Sequence, residues 1–521
     1  MNSHRQSLNL PLVFHEDDAE ATTCAARAMS AARSVQTRWA QRSVKGRLGL
    51  VRELRRLIAE NARELAAASA MERSRPVVES LTAEVLPLLE ACRFLERNAE
   101  RILGPRRLGR KQRPLWLAGV RSEILREPFG VVLIIGPGNY PLFLPGVQVL
   151  QALVAGNAVV LKPGVGGSAA ARALLNLIAR AGFPAELVSL LPESPEAARA
   201  AILAGPDKVV FTGSAATGQK ILAQLAPQLI PATMELSGCD AAIVRADADL
   251  GLTTRALAFG LRLNDGATCM SPKRVFVARG VATELEGRLS HWLNADAGRG
   301  WQVRTPAAAP TQGLGALTAA ETLRPLLEEA LALGAHFIAG EIRRDGSVDL
   351  PVVLAGVPPE ARLLREDVFG PVLAIVTVAD DHEALLRAND CSFALAANIF
   401  TRDETTGRAL AGRINAGVVT INDLILPTAD ARLPFGGQKH SGFGATRGAE
   451  GLLELTRPKV VTLSRSRFRP AFDAPRAGDE ALFEAYLNLT QGHGFKSRCH
   501  SLLSLLRTLL ARTRSSQFRK S

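Results

Sequence analysis

The stretch PFGVVLIIGPGNYPLFLPGVQVLQALVAGNAVVL, from Pro128 to Leu161, contains no charged residue. Its length is that of a membrane span, but its punctuation divides it. Gly136, Pro137, Gly138, Asn139 and Pro141 break the run into an apolar β-rich piece, a turn, a helix-length piece and a second β-rich piece, NAVVL. Gly and Pro clusters between apolar segments mark turns, so the stretch reads as a buried strand, helix and strand.

Outward from this unit, short apolar runs recur: ELVSLL at Glu186–Leu191, KVVFTGS at Lys208–Ser214 and AAIV at Ala241–Val244. Helix-period segments lie between them, at Ala169–Ala181 and Ser194–Ala204. Uniformly apolar strands alternating with helices predict an α/β fold, a doubly wound parallel sheet covered on both faces. A nucleotide then binds beyond the carboxyl ends of the strands. The segment from about Ala19 to Ile102 is rich in Ala, Leu, Arg and Glu and predicts helices. SPKRVFVA, PVLAIVTV, AANIFT and GVVTIN continue the α/β alternation in the second half.

A chain of 521 residues exceeds the size at which one hydrophobic core stops growing, and 47% hydrophobic residues with 5% aromatics describe a globular protein of at least two domains. Cys24, Cys92, Cys239, Cys269, Cys391 and Cys499 are scattered without CxxC pairs, and no histidine falls in a ligand spacing. Neither a disulfide framework nor a metal site is predicted. The first twenty residues lack the layout of a secretory signal, so the expected compartment is the cytoplasm.

The net charge of +13 is concentrated locally. Residues 465–521 hold eleven Lys/Arg against four Asp/Glu, and GPRRLGRKQRP at Gly104–Pro114 is a second basic run. No nucleic-acid module or interleaved aromatics accompany them, so no nucleic-acid partner is expected. In SLLSLLRTLLARTRSSQFRKS, Leu502, Leu503, Leu505, Leu506, Leu509 and Leu510 recur at helical spacing with Arg507, Arg512 and Arg514 among them. This predicts a short basic amphipathic helix, suited either to contact with an anionic membrane surface or to docking on protein.

The stretch LNDGATCMSPKR, Leu263–Arg274, holds Cys269 in a Gly-containing loop before a strand. A lone cysteine reads as core filler. Glu235, 34 positions upstream in MELSG, lies between apolar IPATM and small LSG, which suits a partly buried carboxylate with a raised pKa. FTGSAATG places Gly213, Ser214 and Gly218 directly after a strand and at the start of a helix, where backbone N–H groups and the helix dipole favour a pyrophosphate.

Eight pieces in order, PFGVVLIIGPGNYPL, AGNAVVLKPG, FTGSAATGQKI, MELSG, NDGATC, EDVFGPV, GVVTIN and LPFGGQKHSGFG, resemble the NAD(P)-dependent aldehyde dehydrogenase superfamily from about Ala19 to Val461. The resemblance implies Cys269 as nucleophile, Glu235 as base and Asn139 as oxyanion donor together with the Cys269 N–H. It implies Lys162 on the adenosine ribose, Gly213, Ser214 and Gly218 around the pyrophosphate, and Asp367 and Phe369 at the nicotinamide end.

The implied domains are a cofactor-binding domain (1–105 and 128–237), a catalytic domain (238–440), an oligomerisation arm (106–127 and 456–466) making a dimer or tetramer, and a basic extension (467–521). Rival readings are a coenzyme-A-acylating enzyme or acyl reductase, and a non-catalytic relative acting as a binding protein.

Several positions depart from the family pattern. Val165 stands where an acidic residue usually holds the adenosine 2′-hydroxyl, so NADP is as credible a cofactor as NAD. Asp367 replaces a glutamate, Gly138 a tryptophan and Ala267 a glutamine, and ELSGCD replaces ELGGK. Tyr140, Leu142, Phe143, Leu144, Thr268, Met270 and the loop Asp423–Pro427 are expected to line the substrate channel, which points to a hydrophobic aldehyde.

Overall fold

A computed structural model describes residues 16–71, 75–114, 117, 119–297, 316–465, 472, 474–475 and 478–517. The chain divides into two units, residues 1–106 with 124–459 and residues 107–123 with 460–521.

In the first unit, the charge-free stretch folds as its punctuation predicts. Strand Val131–Ile135 leads through a turn into helix Phe143–Ala155, which returns as strand Ala158–Lys162. The two strands pair in parallel, Val131 opposite Ala158 and Ile135 opposite Lys162, and every residue of both is buried. The complete sheet has six strands, in the order Gly442–Phe443, Ala232–Leu236, Lys208–Gly213, Val131–Ile135, Ala158–Lys162 and Val188–Leu190. Only Gly442–Phe443 runs antiparallel, and it covers the strand carrying Glu235. One continuous core joins this sheet to the N-terminal helices Glu16–Gln41, Val44–Glu60, Ala62–Ala70 and Leu86–Leu103.

A seven-stranded sheet takes the second half, in the order His336–Ile342, Val348–Ala355, Val372–Val378, Pro272–Ala278, Asp240–Val244, Ala396–Phe400 and Val418–Ile421. Side chains alternate across a strand, and this sheet uses the alternation to make two cores. Ala241, Ile243, Phe276, Val352, Leu354, Ala374 and Val376 enter one. Ala242, Val244, Val275, Val277, Val353, Leu373 and Ile375 enter the other. The four strands expected from sequence are present. The antiparallel strands His336–Ile342 and Val348–Ala355 were not expected, because the first is only half-buried and mixes polar with apolar residues.

In the second unit lie portions of the strands Arg106–Leu108, Val120–Pro128 and Thr456–Ser464, which form a three-stranded sheet. The expected C-terminal helix is found as Phe495–Gln517, and it packs on helix Asp479–Gln491 as a hairpin. No helix among the described residues is long and apolar enough to cross a membrane.

Candidate active site

The two sheets meet the predicted chemistry from different sides. Glu235 is the penultimate residue of strand Ala232–Leu236, paired with Thr212 on one neighbour and Gly442 on the other, so its backbone is held from both flanks. Cys269 lies in the turn that precedes strand Pro272–Ala278, the central strand of the second sheet. That turn is tight: Asn264, Asp265 and Gly266 have φ of 52°, 51° and 68°, three consecutive left-handed residues. Such backbone is costly for non-glycine residues and persists only when its surroundings over-determine it.

The surroundings do so here. Asn264 N–H donates to Glu79 Oε1 at 2.9 Å, and Asn264 Nδ2 donates to the carbonyls of Asn139 and Ala267, both at 3.1 Å. Lys273 Nζ donates to the carbonyls of Gly266 at 3.1 Å and Gly370 at 2.6 Å. This ties the cysteine turn to the loop carrying Asp367 and Phe369. A Cβ on Gly266 would stand 2.4 Å from Pro371 N, so only glycine fits there.

The Glu235 carboxyl is buried beside the Cys269 thiol, the Thr212 hydroxyl and the Arg447 guanidinium. Burial pushes it up to about 7, against the pull of Arg447 first and then of Cys269 and Thr212. Its Oε1 has no hydrogen-bond partner among the described residues. Burial, and after it the Glu235 charge, pushes the Cys269 thiol well above its ordinary value. The thiol is therefore neutral at rest and sits beside a carboxyl whose proton affinity suits a base near neutrality.

Asn139 Nδ2 donates to Ala267 O at 3.1 Å, and Asn139 Oδ1 accepts the Tyr140 N–H at 3.0 Å. The amide is thus fixed against the cysteine turn with one N–H to spare. The backbone N–H of Cys269 donates to no acceptor among the described residues.

The expected cofactor residues lie at the carboxyl ends of the first sheet. Lys162 and Gly213 are the last residues of their strands. Burial lowers the Lys162 ammonium from its ordinary value, with Glu193 and Glu196 opposing. Ser214 caps helix Ala215–Leu225, its hydroxyl oxygen accepting the Thr217 N–H at 3.3 Å. A Cβ on Gly218 would fall 2.8 Å from Leu236, so this glycine lets the helix approach the strand. Asp367 accepts the Ser237 hydroxyl, while its Oδ1 is buried without a partner among the described residues. A buried orphan acceptor fits a ribose hydroxyl, so these residues suit a bound dinucleotide. Phe369 is half-buried, next to Gly370.

Gly138 has a local reason to be glycine. A Cβ there would stand 2.6 Å from the Val165 carbonyl, so the loops after the two charge-free strands touch at this point. The channel expectation is corrected at Leu142, which is fully buried in the core of the first sheet and faces no channel. Cys269 packs instead against the cluster of Met270, Leu395, Ala396 and Phe435, together with Val418 and Ile425.

Three cations escaped the sequence reading. Lys273 is one, its ammonium lowered to about 8 by burial. Arg447, lowered to about 10 by burial, stacks 4.3 Å above the Phe435 ring. Arg75 has a fully buried side chain that pairs with Glu84 and donates to the Asn139 carbonyl at 3.3 Å. Glu84 Oε2 in turn accepts the N–H groups of Leu142 and Phe143, at 2.8 and 3.1 Å, at the start of helix Phe143–Ala155. Arg75 lies in a connection, Lys273 in a strand and Arg447 just before helix Gly448–Glu454; a lone basic residue in such places reads as solvent-facing, and only tertiary burial reveals these three.

Comparison with known proteins identifies the family of the chain. The family model for the aldehyde dehydrogenase family matches residues 14–461. A 4,4'-diapolycopene aldehyde oxidase of Methylomonas sp is 32% identical over 459 residues, 87% of this chain and 84% of the relative. A putative NADP(+) succinate-semialdehyde dehydrogenase of Mycolicibacterium smegmatis is 32% identical over 84% of each chain.

Among solved structures, an NAD+ complex of aldehyde dehydrogenase from Bacillus cereus matches with a TM-score of 0.76 at 28% identity, covering 85% of this chain and 89% of that one. An NADP-dependent glyceraldehyde-3-phosphate dehydrogenase from Bacillus halodurans, complexed with NADP, matches with a TM-score of 0.76 at 29% identity, covering 85% and 92%. The chain belongs to the aldehyde dehydrogenase family and is an NAD(P)-dependent enzyme.

Proposed function

We propose that this enzyme oxidises a hydrophobic aldehyde to its carboxylic acid through a covalent intermediate on Cys269. The observation that carries the reading is the facing of the Cys269 thiol by the buried Glu235 carboxyl, with the Asn139 amide pinned to the same turn. Glu235 takes the thiol proton, and the sulfur attacks the aldehyde carbon. The resulting oxyanion is held by the spare Asn139 N–H and by the Cys269 N–H. Lys162, Gly213, Ser214, Gly218, Asp367 and Phe369 would hold NAD(P)+, which would supply the hydride acceptor that oxidation of this carbon to a thioester requires. Once Glu235 has passed the thiol proton to solvent, it removes a proton from water; the hydroxide adds to the thioester, the C–S bond breaks, the acid departs and Glu235 returns its proton to the Cys269 sulfur. Arg447 keeps Glu235 ionisable in its apolar surroundings.

The apolar packing of Met270, Phe435 and Ile425 around Cys269 supports a hydrophobic substrate over a charged one. The enzyme is proposed to work in the cytoplasm as a homo-oligomer, a dimer or tetramer. Exposed Val460, Val461 and Leu463 on strand Thr456–Ser464 support pairing between copies through that strand.

The test follows the absorbance of reduced nicotinamide with a panel of aliphatic, aromatic and carboxylated aldehydes, with NAD and NADP in parallel and without coenzyme A. Acid product from apolar aldehydes, lost in Cys269→Ala, is the expected result. Turnover that depends on added coenzyme A, or that survives Cys269→Ala, overturns the mechanism.

A further inference from the structure

The helical hairpin Asp479–Gln491 and Phe495–Gln517 lies outside the residues that the family model matches, and its surface has an organisation of its own. On the second helix, Ser501, Ser504, Leu505 and Thr508 recur at i, i+3, i+4 and i+7 and form the covered side, Ser501 buried and the others half-buried. The opposite side is apolar and open. Phe495 is 83% exposed, Leu502 44%, Leu503 56% and Leu506 47%, and Cys499 between them is exposed as well. At 3.6 residues per turn these five positions occupy an arc of about 100°. Lys496 and Arg507, both exposed, fall along one border of that arc, and Arg498 falls along the other.

Charge decides what such a face meets. From Ala485 to Ser521 there is no Asp or Glu, against Lys496, Arg498, Arg507, Arg512, Arg514, Arg519 and Lys520. A second copy of helix Phe495–Gln517 brings the same positive charge to the contact. A nucleic acid offers phosphates to the borders but nothing to an apolar centre. An anionic bilayer surface satisfies both parts, with acyl chains for the stripe and headgroups for the flanking cations.

We propose that the helix Phe495–Gln517 lies flat on anionic lipid, with Phe495, Leu502, Leu503 and Leu506 inserted at the headgroup boundary and Lys496, Arg498 and Arg507 on phosphate. This holds the enzyme at a membrane surface without spanning it, and it stands independently of the reaction assigned above.

The test sediments the full-length enzyme with vesicles of phosphatidylcholine alone and of phosphatidylcholine with about one third phosphatidylglycerol. The expected result is a bound fraction roughly fivefold or more higher on the anionic vesicles, falling toward the neutral-vesicle level in about 0.5 M salt. Leu502→Glu with Leu506→Glu removes the stripe, and Lys496→Glu with Arg507→Glu reverses one border. All four side chains are exposed, so both variants are expected to fold and keep their turnover of a water-soluble aldehyde, while each loses most of the vesicle binding.

Equal binding to both vesicle types overturns the proposal, as does full retention of binding by the stripe variant. So does a stripe variant that changes sedimentation coefficient in the absence of lipid while the parent ignores vesicles, because the face is then a contact between copies.

Discussion

The Glu235 charge makes ionisation of Cys269 harder, while the Cys269 thiol eases ionisation of Glu235 against the cost of its burial. With the Glu235 carboxyl at about 7, its basic form is absent well below that pH and complete well above it. kcat/KM is expected to rise through pH 7, and Glu235→Gln is expected to abolish that limb and lower turnover by about 10²- to 10⁴-fold. A pH profile of both proteins checks this. The exposed Val165 gives a second test: Val165→Glu places a carboxylate where a 2′-phosphate would be repelled, and the NADP-to-NAD ratio of kcat/KM is expected to fall about tenfold. Cys269, Glu235 and Asn139 were legible in the sequence because their chemistry is rare and their order matches a family. Arg75, Lys273 and Arg447 were not, because their roles rest on burial by residues far away along the chain.

At the scale of elements, the strands and helices that were legible are those with unbroken apolar runs, such as Val131–Ile135 and Ala158–Lys162. What escaped is the turn of π-helix at Leu81–Val85. Its wider winding leaves no mark in a 3.6-residue pattern, and such turns are frequent at functional sites. It carries Glu84, the residue that caps helix Phe143–Ala155 and pairs with Arg75. Arg75→Met is expected to leave that carboxylate buried and unpaired, destabilising the protein by about 3–5 kcal/mol. Arg75→Met combined with Glu84→Gln is expected to recover part of the stability. kcat is expected to stay depressed in both, because the Asn139 carbonyl has lost its anchor, and Arg75→Lys restores part of it. Denaturant titration and steady-state kinetics on the three variants separate the two effects.

For the whole molecule, the base is maintained against stability. Folded Glu235 holds its proton to about 7 where its ordinary value is 4.5. Between those values the folded state binds more protons than the unfolded one, so stability falls as pH rises through this window and the full loss is present above it. The loss is on the order of 3 kcal/mol. Glu235→Gln is expected to melt several degrees above the parent at pH 8 and to match it near pH 4.5, which a pair of thermal scans checks. The fold class was legible because alternation of apolar runs and helices extends over most of the chain. The antiparallel pair His336–Ile342 and Val348–Ala355 was not, since the first of these strands is half-buried and mixes polar with apolar residues.

Nucleophile and base reach each other from separate sheets, one at the end of Ala232–Leu236 and the other just before Pro272–Ala278. Any sliding of one sheet past the other is read directly as a change in the gap between sulfur and carboxylate. The alkylation rate of Cys269 is thus expected to act as a strain gauge for the molecule, shifting with temperature, pressure or a distant substitution that moves one sheet against the other.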